Sequence, residues 1–389
     1  MKDILLYFTN IVTPTEVIAH GAVGISDGLI DYVGSLDNVP HDYVKKLDLR
    51  GKYLAPGFID MHVHGGKGVA FEDSTNLKQT LQAYSNWVVS TGVTNYLCSI
   101  AAPDAKALVD IINLYVEIFE QGVDGAQPLG LHLEGPFLNK QKKGAFNPNW
   151  LRLPSLEEAK AFIKAGKGWI RQMTLAPELP GAQEIAALYR SEGILVALGH
   201  TDTDYDTARS ALQGNFTHVT HAFNAQSGFH HRQPGVFGAI LASDEITAEL
   251  IADTVHAHPG AMKILVRCLG TDRIVLITDA MPGAGLPDGE YELVGLKVTV
   301  KNGHANLPDG TIAGSTALLN QCVRNIHQLV DVPFPDAIKM ASLNPSRAMG
   351  ISNRLGSIAI GKEANLVVLD EEANVFMTII KGQIIYNQL

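Results

Sequence analysis

Two histidines spaced for metal binding are the most informative residues of this chain. His62 and His64 follow the apolar run Tyr53–Ile59 and are separated by a single residue. In a strand, residues two apart point to the same face, so both imidazoles project together from the strand end. Two convergent imidazoles are a typical beginning of a divalent-metal site. The pair alone is weak evidence, because paired surface histidines are common.

Four further residues of metal-ligand type each close a later apolar segment, namely Glu134, His200, His221 and Asp279. The first three supply the carboxylate and two imidazoles of a catalytic metal site that leaves one position open for water. Asp279 beside such a site could take a proton from the water and give it to a leaving amine. Each residue alone has an ordinary alternative: a salt-bridged glutamate, a hydrogen-bonded core histidine, or a loop cap. Their recurrence at strand ends favours the metal site.

Three other segments predict contacts to a substrate. The loop Phe229–Gly235 carries Arg232 and two imidazoles, a set suited to a phosphate or carboxylate, although such a loop is more often solvated surface. His256 ends a strand-like run and could donate to a substrate oxygen. The segment Gly310–Ser315 allows close approach of the backbone to a ligand, or else is an ordinary loop entering the next helix.

The elements that must position these residues read as alternating strands and helices, the pattern of parallel β/α architecture. Eight strand-like runs can be counted, at Leu54–Gly65, Val93–Ile100, Pro128–Phe137, Ile170–Glu178, Leu195–Thr201, His218–Ala225, Ile246–His256 and Arg273–Met281. Titratable residues at their carboxyl ends predict an α/β fold with a (β/α)8 TIM barrel, whose active sites lie on that face. A hairpin is expected within Tyr291–Leu307. An open doubly wound sheet is the alternative, but no Gly-rich dinucleotide motif follows any run.

Both chain ends contain short strand-like runs separated by turn signals. They are Ile4–Phe8, Gly21–Ile25 and Leu29–Gly34 near the start, and Ala364–Leu369, Val375–Ile380 and Gly382–Tyr386 near the end. Neither end has enough strands for a stable sheet alone, and chain termini usually lie close together. We therefore predict one small β-sandwich domain from residues 1–54 and 355–389, and the barrel from residues 55–354.

Composition excludes several classes of function. A formal charge of −10 over 389 residues argues against a nucleic-acid partner, which would require a basic face. The three cysteines, Cys98, Cys268 and Cys322, are odd in number and widely spaced, so a reducing cytoplasm is the expected location. We expect no signal peptide after Met1-Lys2 and no membrane partner, because no apolar run is long enough to span a bilayer.

The chain resembles the amidohydrolase superfamily and, within it, the N-acetylglucosamine-6-phosphate deacetylase family. The resemblance covers essentially the full length. The HxH motif is shared across the superfamily, whereas the His-Leu-Glu-Gly-Pro-Phe element and the Arg-x-Pro-Gly loop are more specific to the amino-sugar deacetylases. The elements that carry it are Pro56–Gly65, His132–Leu138, Gly199–Thr201, Thr220–Ala225, Arg232–Gly235 and Thr278–Ala280.

The resemblance implies a metal-dependent hydrolase that removes acetate from N-acetylglucosamine 6-phosphate. Glu134, His200 and His221 would bind the principal ion, His62 and His64 would complete a second position, and Asp279 would be the catalytic acid and base. One or two divalent ions are implied, zinc or iron first, with manganese or cobalt also suited to these ligands. Arg232 would bind the phosphate across a homodimer interface. The implied substrate-binding residues are Ala145, Asn224, Ala225, Arg232, His256, Ile312, Ala313 and Gly314.

Three residues depart from the family pattern near the expected sugar and phosphate. Phe146 stands where a histidine is usual, Gln226 where a methionine is usual, and Thr254 where a glycine is usual. These departures concern the identity of the sugar. A galactosamine derivative or a hydantoin-like cyclic amide is therefore an alternative substrate, and a non-catalytic binding protein on the same fold is a minor alternative.

Overall fold

The computed structural model describes residues 3–40 and 42–389, so Met1, Lys2 and His41 of the predicted small domain lie outside the described residues. The strands of the described part are β1 (Ile4–Val12), β2 (Val17–Ser26), β3 (Leu29–Ser35), β4 (Lys45–Asp48), β5 (Tyr53–Pro56), β6 (Phe58–Asp60), β7 (Gly65–Gly66), β8 (Val69–Ala70), β9 (Val93–Ile100), β10 (Gln127–Glu134), β11 (Ile170–Leu175), β12 (Leu195–Leu198), β13 (His218–Val219), β14 (Thr247–Ile251), β15 (Ile274–Ile277), β16 (Gly289–Leu293), β17 (Leu296–Lys301), β18 (His304–Asn306), β19 (Leu366–Leu369), β20 (Val375–Ile380) and β21 (Gln383–Asn387).

Along the chain, most helices fall between successive strands of the parallel sheet. They are α1 (Leu77–Val88), α2 (Ala105–Gln121), α3 (Leu156–Gly166), α4 (Ala182–Ser191), α5 (Tyr205–Leu212), α6 (Gly235–Leu241), α7 (Pro259–Leu269), α8 (Leu319–Val330), α9 (Phe334–Met340) and α10 (Leu343–Ala348). Helix α2 shows why they form: Asp104 caps its first turn by accepting from the Ala107 N–H at 2.8 Å, and Gly122 ends it. No helix in the described ranges combines the length and the apolar character that crossing a membrane requires.

Eight parallel strands form the predicted barrel. They pair in the order β6-β9-β10-β11-β12-β13-β14-β15, and strands such as β9 and β15 are buried at every position. Strands buried at every position are expected where helices cover the outside of a parallel sheet. The segments that follow the first and last strands meet: the Asp279 N–H donates to the His62 carbonyl at 2.8 Å, and the His64 N–H donates to the Ala280 carbonyl at 2.9 Å. The TIM-barrel prediction is confirmed.

Strands from both chain ends form one mixed sheet, in the order β21-β20-β19-β5-β1-β2-β3 with β4 also on β1. The predicted joint contribution of both ends is confirmed, but the strands belong to a single branched sheet and not to two separate ones. The predicted strand Leu54–Gly65 is wrong as one element. Its first part, β5, pairs with β1 and β19, whereas β6 enters the barrel after Gly57, where an added Cβ would collide with Thr94.

A small antiparallel sheet covers the carboxyl end of the barrel. The expected hairpin has a third strand, because β18 pairs with β17 as β17 pairs with β16. Its buried residues Leu293 and Val298 pack with Leu138 and Phe146 of the loop that follows β10. This contact places a roof over the strand ends that carry the predicted ligands.

Candidate metal centre and active site

The structure brings all six predicted ligand and acid-base residues to one end of the barrel. Glu134 is the last residue of β10, and His62, His200, His221 and Asp279 follow their strands within two residues. The backbones of His200, His221 and Asp279 are left-handed, with φ of 48°, 26° and 50°. Such conformations end an extended strand and turn the side chain over the barrel mouth. For that reason β13 stops at Val219, short of the predicted Ala225.

The ligand atoms fall into two neighbouring groups, within each of which they lie no more than 4.8 Å apart. One group is His62, His64 and Asp279, called the His62 position below. The other is Glu134, His200 and His221, called the His200 position. Every one of these residues is at least nine-tenths buried, as a catalytic ion requires for a strong field.

Glu134 lies between the two positions and faces both. Its Oε1 is 3.0 Å from His200 Nε2 and 3.1 Å from His221 Nε2. Its Oε2 is 2.9 Å from His64 Nε2 and 3.4 Å from His62 Nε2. One carboxylate therefore offers a separate oxygen to each position, the arrangement that suits a pair of cations.

The outer nitrogens of three imidazoles are held by acceptors. Nδ1 of His62 lies 2.9 Å from Glu249 Oε2, Nδ1 of His64 lies 2.9 Å from Glu72 Oε1, and Nδ1 of His200 lies 2.8 Å from the Lys142 carbonyl. Donation from Nδ1 fixes the tautomer in which the Nε2 lone pair points inward, as metal-bound histidines require. Within the part of the chain that the structure describes, the inward His62 Nε2 is buried without a hydrogen-bond partner. These residues therefore fit a divalent cation at each position.

The pKa shifts of the buried groups also favour positive charge in this cluster. Burial by itself raises the pKa of Glu134, but the imidazoles of His62, His200 and His221 hold it well below its ordinary range. Burial disfavours charge on His64, yet Glu134 and Glu72 outweigh it and raise the His64 pKa to about 10. The cluster thus attracts positive charge, which protons or a metal can supply. Because ligands must lose their protons to bind, metal affinity at such a site falls at low pH.

A cavity of about 430 Å³ opens above the two positions. His64, Glu134 and Asp279 lie at its base, and His62 is covered beneath them. The predicted substrate residues that line it are Ala145, Asn224, Ala225, His256, Ile312 and Gly314. Ala313 does not line the cavity, because its side chain packs into the apolar cluster of the roof.

Arg232 lies outside the cavity of its own chain. Its side chain is exposed, and its guanidinium contacts His231 Nε2 at 2.8 Å. Two cations that the sequence reasoning did not select, Lys142 and Lys143, do line the cavity. Lys142 Nζ is paired with Asp202 at 3.1 Å. Neighbouring lysines on a loop are ordinarily solvated, so their sequence gave no specific signal.

Carboxylates that position the ligands were also missed. Glu72 and Glu249 hold His64 and His62, and Asp253 Oδ2 lies 2.7 Å from His256 Nδ1. Burial disfavours protonation of His256, but its hydrogen bond to Asp253 and the charge of that group raise its pKa. Glu249 did have a signal, namely a charged residue in the middle of the apolar strand β14.

Only one of the three departures from the family pattern reaches the cavity. Phe146 lines its wall and meets the His200 ring edge-on, with centroids 5.3 Å apart. Gln226 is buried behind the wall and donates to the Thr220 carbonyl at 2.9 Å. Thr254 adopts a left-handed conformation in the turn before His256. Phe146 is therefore the departure placed to touch a ligand.

Comparison with known proteins agrees with this geometry. Residues 53–385 match the amidohydrolase family. The chain is 36% identical to an N-acetylglucosamine-6-phosphate deacetylase of Bacillus subtilis (strain 168), over 99% of this chain and 98% of that protein. It is 35% identical to an N-acetylgalactosamine-6-phosphate deacetylase of Escherichia coli O157:H7, over 92% and 93%.

A solved structure is similar over its whole length. It is a mutant N-acetyl-D-glucosamine-6-phosphate deacetylase from Mycobacterium smegmatis in complex with N-acetyl-D-glucosamine-6-phosphate. It superimposes with a TM-score of 0.92, is 31% identical in sequence, and covers all of both chains. The chain belongs to the amidohydrolase family.

Proposed function

We propose that this chain hydrolyses N-acetylglucosamine 6-phosphate to glucosamine 6-phosphate and acetate, using one or two divalent metal ions. The observation that carries the proposal is the pair of ligand groups, one of which includes Asp279, at the base of a cavity. Relatives over nearly the full length are deacetylases of amino-sugar phosphates, which supports the substrate class.

Zinc or iron is the metal that we propose first, because imidazole and carboxylate ligands suit both, and manganese or cobalt would also be accepted. An ion held by Glu134, His200 and His221 would polarise the acetyl carbonyl and lower the pKa of the attacking water. Glu134 faces both positions, so the same residues provide for a second ion with His62 and His64.

Asp279 is placed to move the proton. Its Oδ1 is 3.5 Å from His62 Nε2 and 3.4 Å from His64 Nε2, at the cavity base. The carboxylate takes one proton from water as the oxygen attacks the acetyl carbon, and it gives that proton to nitrogen as the carbon–nitrogen bond breaks. The products are acetate and the free amine. Nitrogen must be protonated, because an amide anion is too poor a leaving group.

His256 is placed to donate to the substrate. With Nδ1 engaged by Asp253, only the protonated ring carries a hydrogen on Nε2, and the raised pKa favours that form. We propose that this Nε2–H binds the acetyl carbonyl or a sugar hydroxyl. Asn224 and Ala225 would contact the phosphate, and Ile312 to Gly314 would close over the sugar.

The phosphate anchor completes the proposal and implies a homodimer. Arg232 is exposed and does not line the cavity of its own chain, which supports its contribution to a neighbouring subunit. A guanidinium suits a phosphate dianion because it can donate two parallel hydrogen bonds.

We also propose a cytoplasmic location. Cys98, Cys268 and Cys322 are all free thiols, and Cys268 is exposed. Thiols of this kind persist in a reducing compartment.

N-Acetylgalactosamine 6-phosphate is the second candidate substrate. The identity to a deacetylase of that sugar, 35%, is nearly equal to the 36% found for a glucosamine enzyme. The two sugars differ only in the configuration of one hydroxyl. Fold and metal ligands cannot separate them, so the choice depends on the cavity wall.

The test is an acetate-release assay on both N-acetyl sugars, each with and without the 6-phosphate, alongside elemental analysis of the purified protein. We expect bound divalent metal and a clear preference for a 6-phosphate. Metal-containing protein that releases acetate from none of the four compounds would refute the proposed reaction. A preference for the unphosphorylated sugars would refute the proposed substrate class.

A further inference from the structure

Glu249 is a charged residue in the barrel interior that the proposed reaction does not use. It lies within β14, and its side chain has no solvent exposure. A buried carboxylate is costly unless donors surround it, and each of its oxygens has two polar neighbours. Oε1 accepts from Gln172 Nε2 at 2.7 Å and lies 3.2 Å from His218 Nε2.

The other oxygen joins the two metal positions. Oε2 lies 2.9 Å from His62 Nδ1 and accepts from the backbone N–H of His221 at 3.0 Å. His62 belongs to one position and His221 to the other. Neither the Glu134 carboxylate nor the Asp279 carboxylate contacts the outer nitrogen of His62 or the main chain of His221. Glu249 contacts both.

The contact to His221 has a particular task. His221 has a φ of 26°, a strained conformation for a residue with a side chain, which persists only where the surroundings hold it. A charge-assisted hydrogen bond to the backbone N–H is a strong restraint on that conformation. The outer Nδ1 of His221 is buried without a hydrogen-bond partner among the described residues, so its ring has no acceptor there of the kind that holds the other three imidazoles. The direction of the His221 ring therefore depends on its backbone.

We propose that Glu249 is a positioning residue that orients ligands of both metal positions through one oxygen. It sets the tautomer and direction of the His62 ring, and it fixes the strained backbone from which His221 reaches the His200 position. This inference rests on the proposed metal centre. The inference has a distinctive consequence. Substitution of Glu249 should lower metal affinity at the His200 position, although Glu249 contacts no side-chain atom of that position.

Glu72 provides a matched control. It is a carboxylate that contacts a ligand ring in the same way, with Oε1 2.9 Å from His64 Nδ1, but the described contacts of its side chain involve only the His62 position. Glu72→Gln and Glu249→Gln make the same chemical change. Glu249→Gln keeps the size of the side chain but replaces the charged acceptor by a neutral oxygen, so the hydrogen bonds from the His62 ring and the His221 backbone are weakened.

The experiment is a titration of the metal-free enzyme with Co²⁺ against a competing chelator, read by visible absorption and by the number of ions bound. Removal of a group that orients a metal ligand typically lowers metal affinity by about 10- to 100-fold. We expect Glu249→Gln to lower Co²⁺ affinity about tenfold or more at the His200 position and at the His62 position. Glu72→Gln should do so at the His62 position alone. Glu249→Ala should have the larger effect of the two Glu249 variants.

The outcomes separate the proposal from its premise. If Glu249→Gln binds Co²⁺ at the His200 position as tightly as the wild type, Glu249 serves only His62 and the inference is wrong. It is also wrong if Glu72→Gln weakens the His200 position equally, because the loss would then be general. Thermal unfolding of the metal-free variants checks that the barrel is intact. Wild-type protein that binds no Co²⁺ would instead refute the proposed metal centre.

Discussion

Replacing Glu134 by glutamine is the most direct test of the metal centre. Glu134 and Asp279 are the carboxylates of the two positions, so the change removes half of their formal negative charge. The amide can present its oxygen to only one position. Its NH2 group must then face either the His200 and His221 nitrogens or those of His62 and His64, where a cation should sit.

The size of the effect follows from that geometry. Loss of a group outside the ligand set costs about 10- to 100-fold in metal affinity, so loss of a ligand that serves both positions should cost at least about 100-fold. That factor corresponds to about 2.8 kcal/mol, at 1.4 kcal/mol for each tenfold change. Glu134→Gln should therefore lose most of its metal on dialysis and nearly all of its acetate-releasing activity.

The assay combines elemental analysis with acetate release on the same preparation. Glu245→Gln is the matched control, because it makes the same change at an exposed residue outside the cavity. Thermal unfolding must show that the Glu134 variant is folded, since removing one partner of a buried charged pair can destabilise a protein by about 3–5 kcal/mol. Full activity with a normal metal content in Glu134→Gln would refute the assignment of the site.

Three further predictions follow. Purification with excess metal should give more than one ion per chain, because His62 and His64 are both oriented to bind a second ion. An elemental analysis that stays at one ion per chain would favour a mononuclear centre. Arg232→Ala should raise KM for the 6-phosphate by roughly 30- to 1000-fold, since a desolvated charge-assisted contact is worth about 2–4 kcal/mol. The metal content should not change. An unchanged KM would show that Arg232 does not bind the phosphate. Asp253→Asn should lower the pKa of His256, so the alkaline limb of the profile of kcat/KM against pH should move to lower pH. An alkaline limb that does not move would show that protonated His256 is not needed.

Much of the fold and of the clustering of the candidate ligands could be predicted because the signals are local. Buried parallel strands are continuous apolar runs, and a histidine or carboxylate at the end of such a run is conspicuous. Residues that act across long sequence separations gave weaker signals. Glu249 contacts His62, from which it is separated by 187 positions in the sequence. No local sequence pattern around either residue predicts that contact. The location of Arg232 outside the cavity of its own chain likewise has no signal in the residues around it.

Strand ends were the least predictable part, and the reason is the site itself. Sequence patterns predicted β13 through to Ala225, but His221, Phe223 and Ala225 all have positive φ. Apolar and β-branched residues in this run favour an extended strand, so local preference and observed conformation disagree. Disagreement of this kind is expected where function requires a side chain to leave the strand direction.

Three residues of the candidate metal centre with left-handed backbones are held by the loop after β10, by the interior carboxylate Glu249 and by the barrel seam. Each strained residue costs about 1–3 kcal/mol, a large part of the net stability of a folded protein. Each is also clamped: the His200 carbonyl accepts from the Asn139 N–H at 3.0 Å, the His221 N–H donates to Glu249 at 3.0 Å, and the Asp279 N–H donates to the His62 carbonyl at 2.8 Å. The clamps come from the loop after β10, from β14 and from the barrel seam. Because these contacts join protein to protein, the fold itself holds His200, His221 and Asp279 in the conformations that turn their side chains over the barrel mouth.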